Sequence, residues 1–174
     1  WKSEPAITRL IPRQADGYAP VKTEAWFGYD DFFFYVAVRC HEPLMRDILV
    51  NAVERDEDMR EEDLIEVLFD TNQDKKTFYH FAVNAEGVLY DARRDDAKWN
   101  STAKVATEKG EQAWTVEMAI PLKEIEADLA LHKTWGLQMA RHRPRMEEKR
   151  SYQWSPTFWY KNTMPVFFGE LELK

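Results

Sequence analysis

Cysteine is nearly missing from the 174 residues: Cys40 is alone, which excludes an internal disulfide framework and any metal site built on thiolates. Glycine is scarce as well, at 6 residues, and none falls in a phosphate-cradling loop or a nucleophile elbow. No apolar run approaches the roughly 20 residues needed to span a bilayer as a helix. Positive charge is outweighed, with 24 Lys and Arg against 31 Asp and Glu, and the formal net charge of -7 repels phosphate backbones and anionic headgroups. These deficits argue against nucleic acid and membrane as partners. They also leave no catalytic signature: many carboxylates are present, but nothing in their spacing singles out a pair for acid–base work.

Aromatic residues are what the chain has in quantity, with 7 Trp, 7 Tyr and 10 Phe. Such side chains favour strands or furnish flat surfaces for stacking. Hydrophobic residues make up 44% and charged residues 32%, a mixture that folds, and 20.6 kDa suits one domain over residues 1–174. The period-2 signal dominates. Val21, Thr23, Ala25 and Phe27 alternate with polar neighbours, the turn-like Gly28-Tyr29-Asp30-Asp31 follows, and a second run covers Phe32 to Arg39. Further strands are expected at 64–70, 77–84, 88–91, 101–107, 113–120, 134–141 and 166–173. Pro121 to Ala127 reads as one or two helical turns, because Pro121 presets the first-turn dihedral and Leu122 and Ile125 share a face. Nine short strands predict an all-β, immunoglobulin-like β-sandwich of two mostly antiparallel sheets.

The ordered runs Phe32 to Val38, Glu62 to Asp70, Tyr79 to Asn84 with Gly87, Ala113 to Pro121, Trp135 to Arg141, Trp154-Ser155-Pro156 and Phe168 to Leu171 carry a resemblance. The chain is similar to the family 9 carbohydrate-binding modules, a β-sandwich group related to the DOMON domains. The resemblance implies a non-catalytic, extracellular, periplasmic or cell-surface domain, cut from a larger polysaccharide-processing protein and working beside neighbouring domains of the same chain. In such modules two tryptophans clamp a terminal sugar while polar strand residues bind its hydroxyls.

Where the first clamp Trp would sit, this sequence has Arg60 with Met59 beside it; Trp159 and Tyr160 are the candidates for the second. By family position Glu66, His80 and Asn84 match strand residues near the sugar, and Ala82 replaces a helpful Arg. Alternation agrees on the face: with Ile65, Val67 and Phe69 inward, Glu66 points outward, and with Tyr79, Phe81 and Val83 inward, His80 and Asn84 do too. Gln138 and His142 are expected on the same platform, Arg141 ends that strand, and Trp154 either flanks the site or seals the sandwich. Each polar residue has a second reading as an ordinary cross-strand pair.

The resemblance also implies structural calcium, for which Asp56, Asp58, Glu62 and Asp63 are the oxygen-bearing candidates, although their spacing is not that of an EF-hand. Two other functions fit the same fold. One is a structural accessory sandwich that has lost sugar binding. The other is a haem-binding electron-transfer domain, with Met45, Met59, Met139, Met164, His41, His80 and His142 as ligand types.

Overall fold

The structure is a computed structural model that describes residues 1–13, 17–144, 151–157 and 160–174. Eleven strands are present among them: β1 (Ile11–Pro12), β2 (Thr23–Tyr29), β3 (Phe33–His41), β4 (Leu64–Asp70), β5 (Tyr79–Asn84), β6 (Leu89–Arg93), β7 (Lys104–Lys109), β8 (Ala113–Pro121), β9 (Thr134–His142), β10 (Ser151–Gln153) and β11 (Gly169–Glu172). They form two antiparallel sheets. One has the order β2-β3-β8-β7; the other runs β1-β10-β9-β4-β5-β6, with β11 sharing the β10 edge of β9.

Alternation explains why the sheets face each other. Phe34, Val36 and Val38 of β3 and Trp114, Val116 and Met118 of β8 point one way, and meet Ile65, Val67 and Phe69 of β4 with Trp135, Leu137 and Met139 of β9. Phe34, Phe69 and Trp135 form the centre, with ring centroids 4.9 to 6.1 Å apart. Removing this apolar surface from water is the main force holding the layers together.

The expected sandwich is therefore present, with differences of detail. β1 and β10 are too short for any period to mark them. The stretch 166–173 is split, because Pro165–Phe167 makes a 3-10 turn and only Gly169–Glu172 pairs. Residues 121–127 form hydrogen-bonded turns rather than a helix, closed by the Ala127 amide on the Leu122 carbonyl at 3.0 Å, while Leu122 and Ile125 are buried together as their shared face implies. Trp99, in the connection between β6 and β7, packs on Tyr79 and Phe81 at 5.4 and 6.1 Å between ring centroids.

Trp154 seals the sandwich. Its ring lies against Gly169, where a Cβ would come within 2.5 Å of the indole. Gly169→Ala is accordingly expected to lower stability by about 1–3 kcal/mol, since the ring is backed by the core and cannot simply retreat. Thermal denaturation followed by tryptophan fluorescence checks this, with displacement of Trp154 expected to change the native emission.

Candidate functional site

The outer face of β4, β5 and β9 holds a hollow of about 510 Å³, and its shape follows from register. Glu66 lies directly opposite Ala82 on β5 and Ala140 on β9, so the two smallest chiral side chains flank it. His80 and His142 come from the diagonal positions on the same neighbours. Their Nε2 atoms stand 3.4 and 3.2 Å from the Glu66 carboxylate, at ion-pair distance but outside good hydrogen-bond geometry. Tyr90 of β6 meets the His80 ring edge to face at 5.5 Å. Met59, Leu64 and Ala82 make the apolar wall, a small cluster separate from the main core.

The lip of the hollow is the acidic connection between β3 and β4, and it is firmly held. Glu62 accepts the Asn51 and Ala52 amides at 2.9 and 2.7 Å, and Asp63 accepts that of Leu49 at 2.9 Å. Arg55 places Nη2 on both oxygens of buried Asp91, at 2.6 and 2.7 Å. On the rim Asp58 is gripped by Arg60, whose hydrogen bonds bring its carboxyl down to about 2.

Glu66 is the chemical centre. Its side chain keeps 18% exposure, and burial alone would push its carboxyl up. The imidazoles of His142 and His80 outweigh burial and hold it well below its ordinary value of 4.5. A charged acceptor that faces a partly apolar hollow can receive hydrogen bonds from hydroxyl groups, and the adjacent imidazoles widen the choice of donors and acceptors.

The sequence-derived candidates divide. Glu66, His80 and His142 come together as expected. Asn84 does not reach the hollow: it is fully buried, donates to Glu62 at 2.9 Å, and accepts the amides of Glu86 and Val88 to close the β5–β6 turn. Gln138 is occupied by Ser155, donating to its carbonyl at 2.7 Å and accepting its amide at 3.1 Å. Arg141 shares the inward face of Trp135, Leu137 and Met139, and its guanidinium bonds Thr23, His41 and Glu42 between the sheets. Tyr160 is 53% exposed and stacks on Phe167 at 5.1 Å, away from the hollow wall. Trp159 lies outside the described residues. Asn162, not singled out from the sequence, donates Nδ2 to Glu66 at 2.8 Å; its position in an irregular connection carries no periodic signal.

The proposed calcium set Asp56, Asp58, Glu62 and Asp63 is not brought together. Asp58 serves Arg60, Glu62 and Asp63 serve backbone amides, and Asp56 accepts the Asp91 amide at 3.4 Å. Among the described residues no group of three or more His, Cys, Asp or Glu side chains is placed to hold a metal ion. Of the haem-type ligands, Met139 is core, and both imidazoles of the hollow turn Nε2 toward Glu66.

Solved structures share this architecture. A family 9 carbohydrate-binding module from Caldicellulosiruptor kristjanssonii in complex with cellotriose superposes with a TM-score of 0.69 at 16% identity, covering 97% of this chain and 82% of that one. Its glucose complex gives 0.68 at 16% identity, over 96% and 84% of the two chains. A protein from Bacteroides uniformis ATCC 8492, proposed to bind carbohydrate, gives 0.71 at 15% identity, over 96% and 87%. No curated protein matches the sequence. At such identities the likeness shows the fold, whereas the family model described as "Carbohydrate family 9 binding domain-like" matches residues 1–174 in full. The chain belongs to the carbohydrate family 9 binding domain-like family.

Proposed function

We propose that this chain binds a neutral saccharide, without acting on it chemically, in the hollow around Glu66. The observation that carries the reading is an ionised carboxylate held at the floor of a hollow walled by Met59, Leu64, Ala82 and Tyr90. Sugars present hydroxyls around a ring whose C–H faces are apolar. Glu66 accepts from the hydroxyls, and the apolar wall covers a C–H face. The volume lies within the span of about 300–1,000 Å³ usual for small-ligand sites. Asp56, Glu57 and Asp58 on the rim disfavour uronic acids and other anionic sugars. The family and the relatives solved with cellotriose and glucose support a glucose-type ligand, bound as the end of a chain or as a short oligosaccharide. The same family supports a place in an extracellular polysaccharide-processing protein, where binding keeps a neighbouring domain near its substrate.

Isothermal titration with glucose, cellotriose and an oligogalacturonate tests the reading. Cellotriose is expected to bind once per chain and the oligogalacturonate not at all. Tyr90→Ala is expected to weaken cellotriose binding about tenfold while the fold is retained, because it removes a wall and the ring that steadies His80. Failure of every neutral saccharide to bind would overturn the proposal and leave the structural accessory role.

A further inference from the structure

The sheet β2-β3-β8-β7 has an outer face that takes no part in the Glu66 hollow. Parity places Gly28 of β2, Phe33, Tyr35 and Ala37 of β3, and Glu117 and Ala119 of β8 on it, because Phe34, Val36, Val116 and Met118 point into the core. Register surrounds one ring with small neighbours: Tyr35 lies opposite Gly28 on one side and Ala119 on the other. Residues 1–7 add a second ring. The Ala6 and Ile7 amides bond the Ala25 carbonyl at 2.8 and 3.2 Å, and Trp26 donates Nε1 to the Ser3 carbonyl at 2.8 Å, which carries Trp1 onto the sheet. Trp1 donates its own Nε1 to Glu117 at 2.7 Å, and a Cβ on Gly28 would lie 3.8 Å from its ring. The indole therefore spans from β2 to β8 across β3, where Ala37 is only 5% exposed although it faces outward.

These rings form a row that stays open to solvent. Trp1 is 52% exposed and Phe32, in the β2–β3 turn, 72%, while Phe33 and Tyr35 are half-buried with ring centroids 6.1 Å apart. From Ala37 to Phe33 the row follows β3 for roughly 14 Å, at about 3.4 Å per residue. Hydrogen bonds fix two of the rings. Besides the Trp1 bond to Glu117, Tyr35 donates to Asp30 at 2.7 Å, and Asp30 also accepts the amides of Phe32 and Phe33 at 2.8 and 2.7 Å. The Phe32 amide, followed by the Tyr35 hydroxyl, holds the Asp30 carboxyl below its ordinary value. Each fixed ring thus has a carboxylate at its edge.

The chemistry of this face selects its occupant. Carboxylates are out of place in the dry centre of a protein–protein interface, which is depleted in charge, but they accept readily from hydroxyl groups. Asp30, Asp31 and Glu117 also repel acidic polymers and anionic headgroups. An aromatic row edged with acceptors matches a neutral chain of sugars lying flat, its C–H faces on the rings and its hydroxyls toward the carboxylates. No wall encloses the row, so a short soluble sugar gains little for the freedom it loses, whereas the face of a solid glucan is ordered beforehand. We propose that the outer face of β2, β3 and β8 is a second saccharide-binding surface, which adheres through Trp1, Tyr35, Phe33 and Phe32 to the ordered face of an insoluble neutral glucan. It lies on the opposite sheet from the Glu66 hollow and does not depend on binding there.

The test measures retention of the whole chain on microcrystalline cellulose, from the protein left in solution, beside the cellotriose titration. Wild type and Glu66→Gln are expected to be retained alike, within about twofold. Tyr35→Ala, Trp1→Ala and Phe32→Ala should each weaken retention about fivefold to tenfold and leave cellotriose binding unchanged, since each removes one stacking ring. Val166→Ala, which trims a 53% exposed apolar residue beside β11, should leave retention as it is. Retention without cellotriose binding would uphold this proposal and sink the hollow. Absence of retention by the wild type would overturn it. So would retention that Glu66→Gln abolishes and the three ring variants keep, or an equal loss in Val166→Ala, which marks general adsorption. Self-association in sedimentation that the ring variants lose, with no wild-type retention on cellulose, would overturn it too and give the face to a second copy. If Tyr35→Ala does not fold, Trp1→Ala and Phe32→Ala decide, because both side chains lie on the surface.

Discussion

Replacing Glu42 with Gln is expected to destabilise the protein by about 3–5 kcal/mol, the largest loss of any single charge substitution considered. Glu42 is wholly buried just after β3 and, among the described residues, receives guanidinium bonds from Arg143 Nε at 2.8 Å, Arg143 Nη2 at 3.0 Å and Arg141 Nη2 at 3.3 Å. Arg141 extends the network across the sandwich to Thr23 Oγ1 at 3.2 Å and the His41 carbonyl at 3.0 Å. Gln preserves the shape but removes the charge, which strands two guanidiniums in a region that water does not reach. For a chain of this length each kcal/mol moves Tm by roughly 2–4 °C, so a fall near 10 °C is expected. The comparison is Glu24→Gln, which breaks pairs with the exposed Lys22 and the half-buried His41 at the sheet surface and should cost less than about 1 kcal/mol. Equal losses for the two variants would show that the buried network contributes nothing special.

Glu66→Gln is expected to weaken saccharide binding between tenfold and a hundredfold, about 1.5–3 kcal/mol, because a charge-assisted acceptor becomes a neutral one. The pH dependence has a defined sign. Glu66 titrates lower in the folded protein than in the unfolded chain, so its ionisation contributes stability that is fully present above the ordinary value of 4.5 and is lost as pH falls through the folded value. Melting curves between about pH 3 and 6 should therefore show the wild type more stable than Glu66→Gln at the upper end, with the gap closing as acid is added. A gap that widens in acid would mean the carboxyl is raised rather than lowered.

How far the sequence revealed this site depends on what alternation can and cannot say. The period-2 pattern fixed the face of Glu66 and His80 correctly, since Ile65, Val67, Phe81 and Val83 leave no choice about which way the core lies. It also marked the main strands. It could not say whether an outward polar residue is free. Asn84 and Gln138 lie on that outer face of their strands, yet each has a nearer partner, Glu62 and Ser155, supplied by a connection whose path the strand pattern does not contain. Arg141, two residues beyond Met139, shares its inward parity, and its charge is met there by Thr23, the His41 carbonyl and the buried Glu42. Asn162 sits outside any repeat, where hydrogen bonding rather than hydrophobic rhythm sets the conformation. The family resemblance pointed to the sheet and face on which this hollow lies. It did not show that His80, His142 and Asn162 would converge on one carboxylate.

The most direct check on the central claim is a cellotriose titration of isotopically labelled protein, monitored at the methyl groups of Met59, Leu64 and Ala82 and the ring protons of His80 and His142. Saturable shifts at these five residues, with Val116 and Val38 between the sheets unmoved, are the expected result. Saturable shifts confined to the outer face of β2, β3, β8 and β7, with the Glu66 hollow silent, would contradict it.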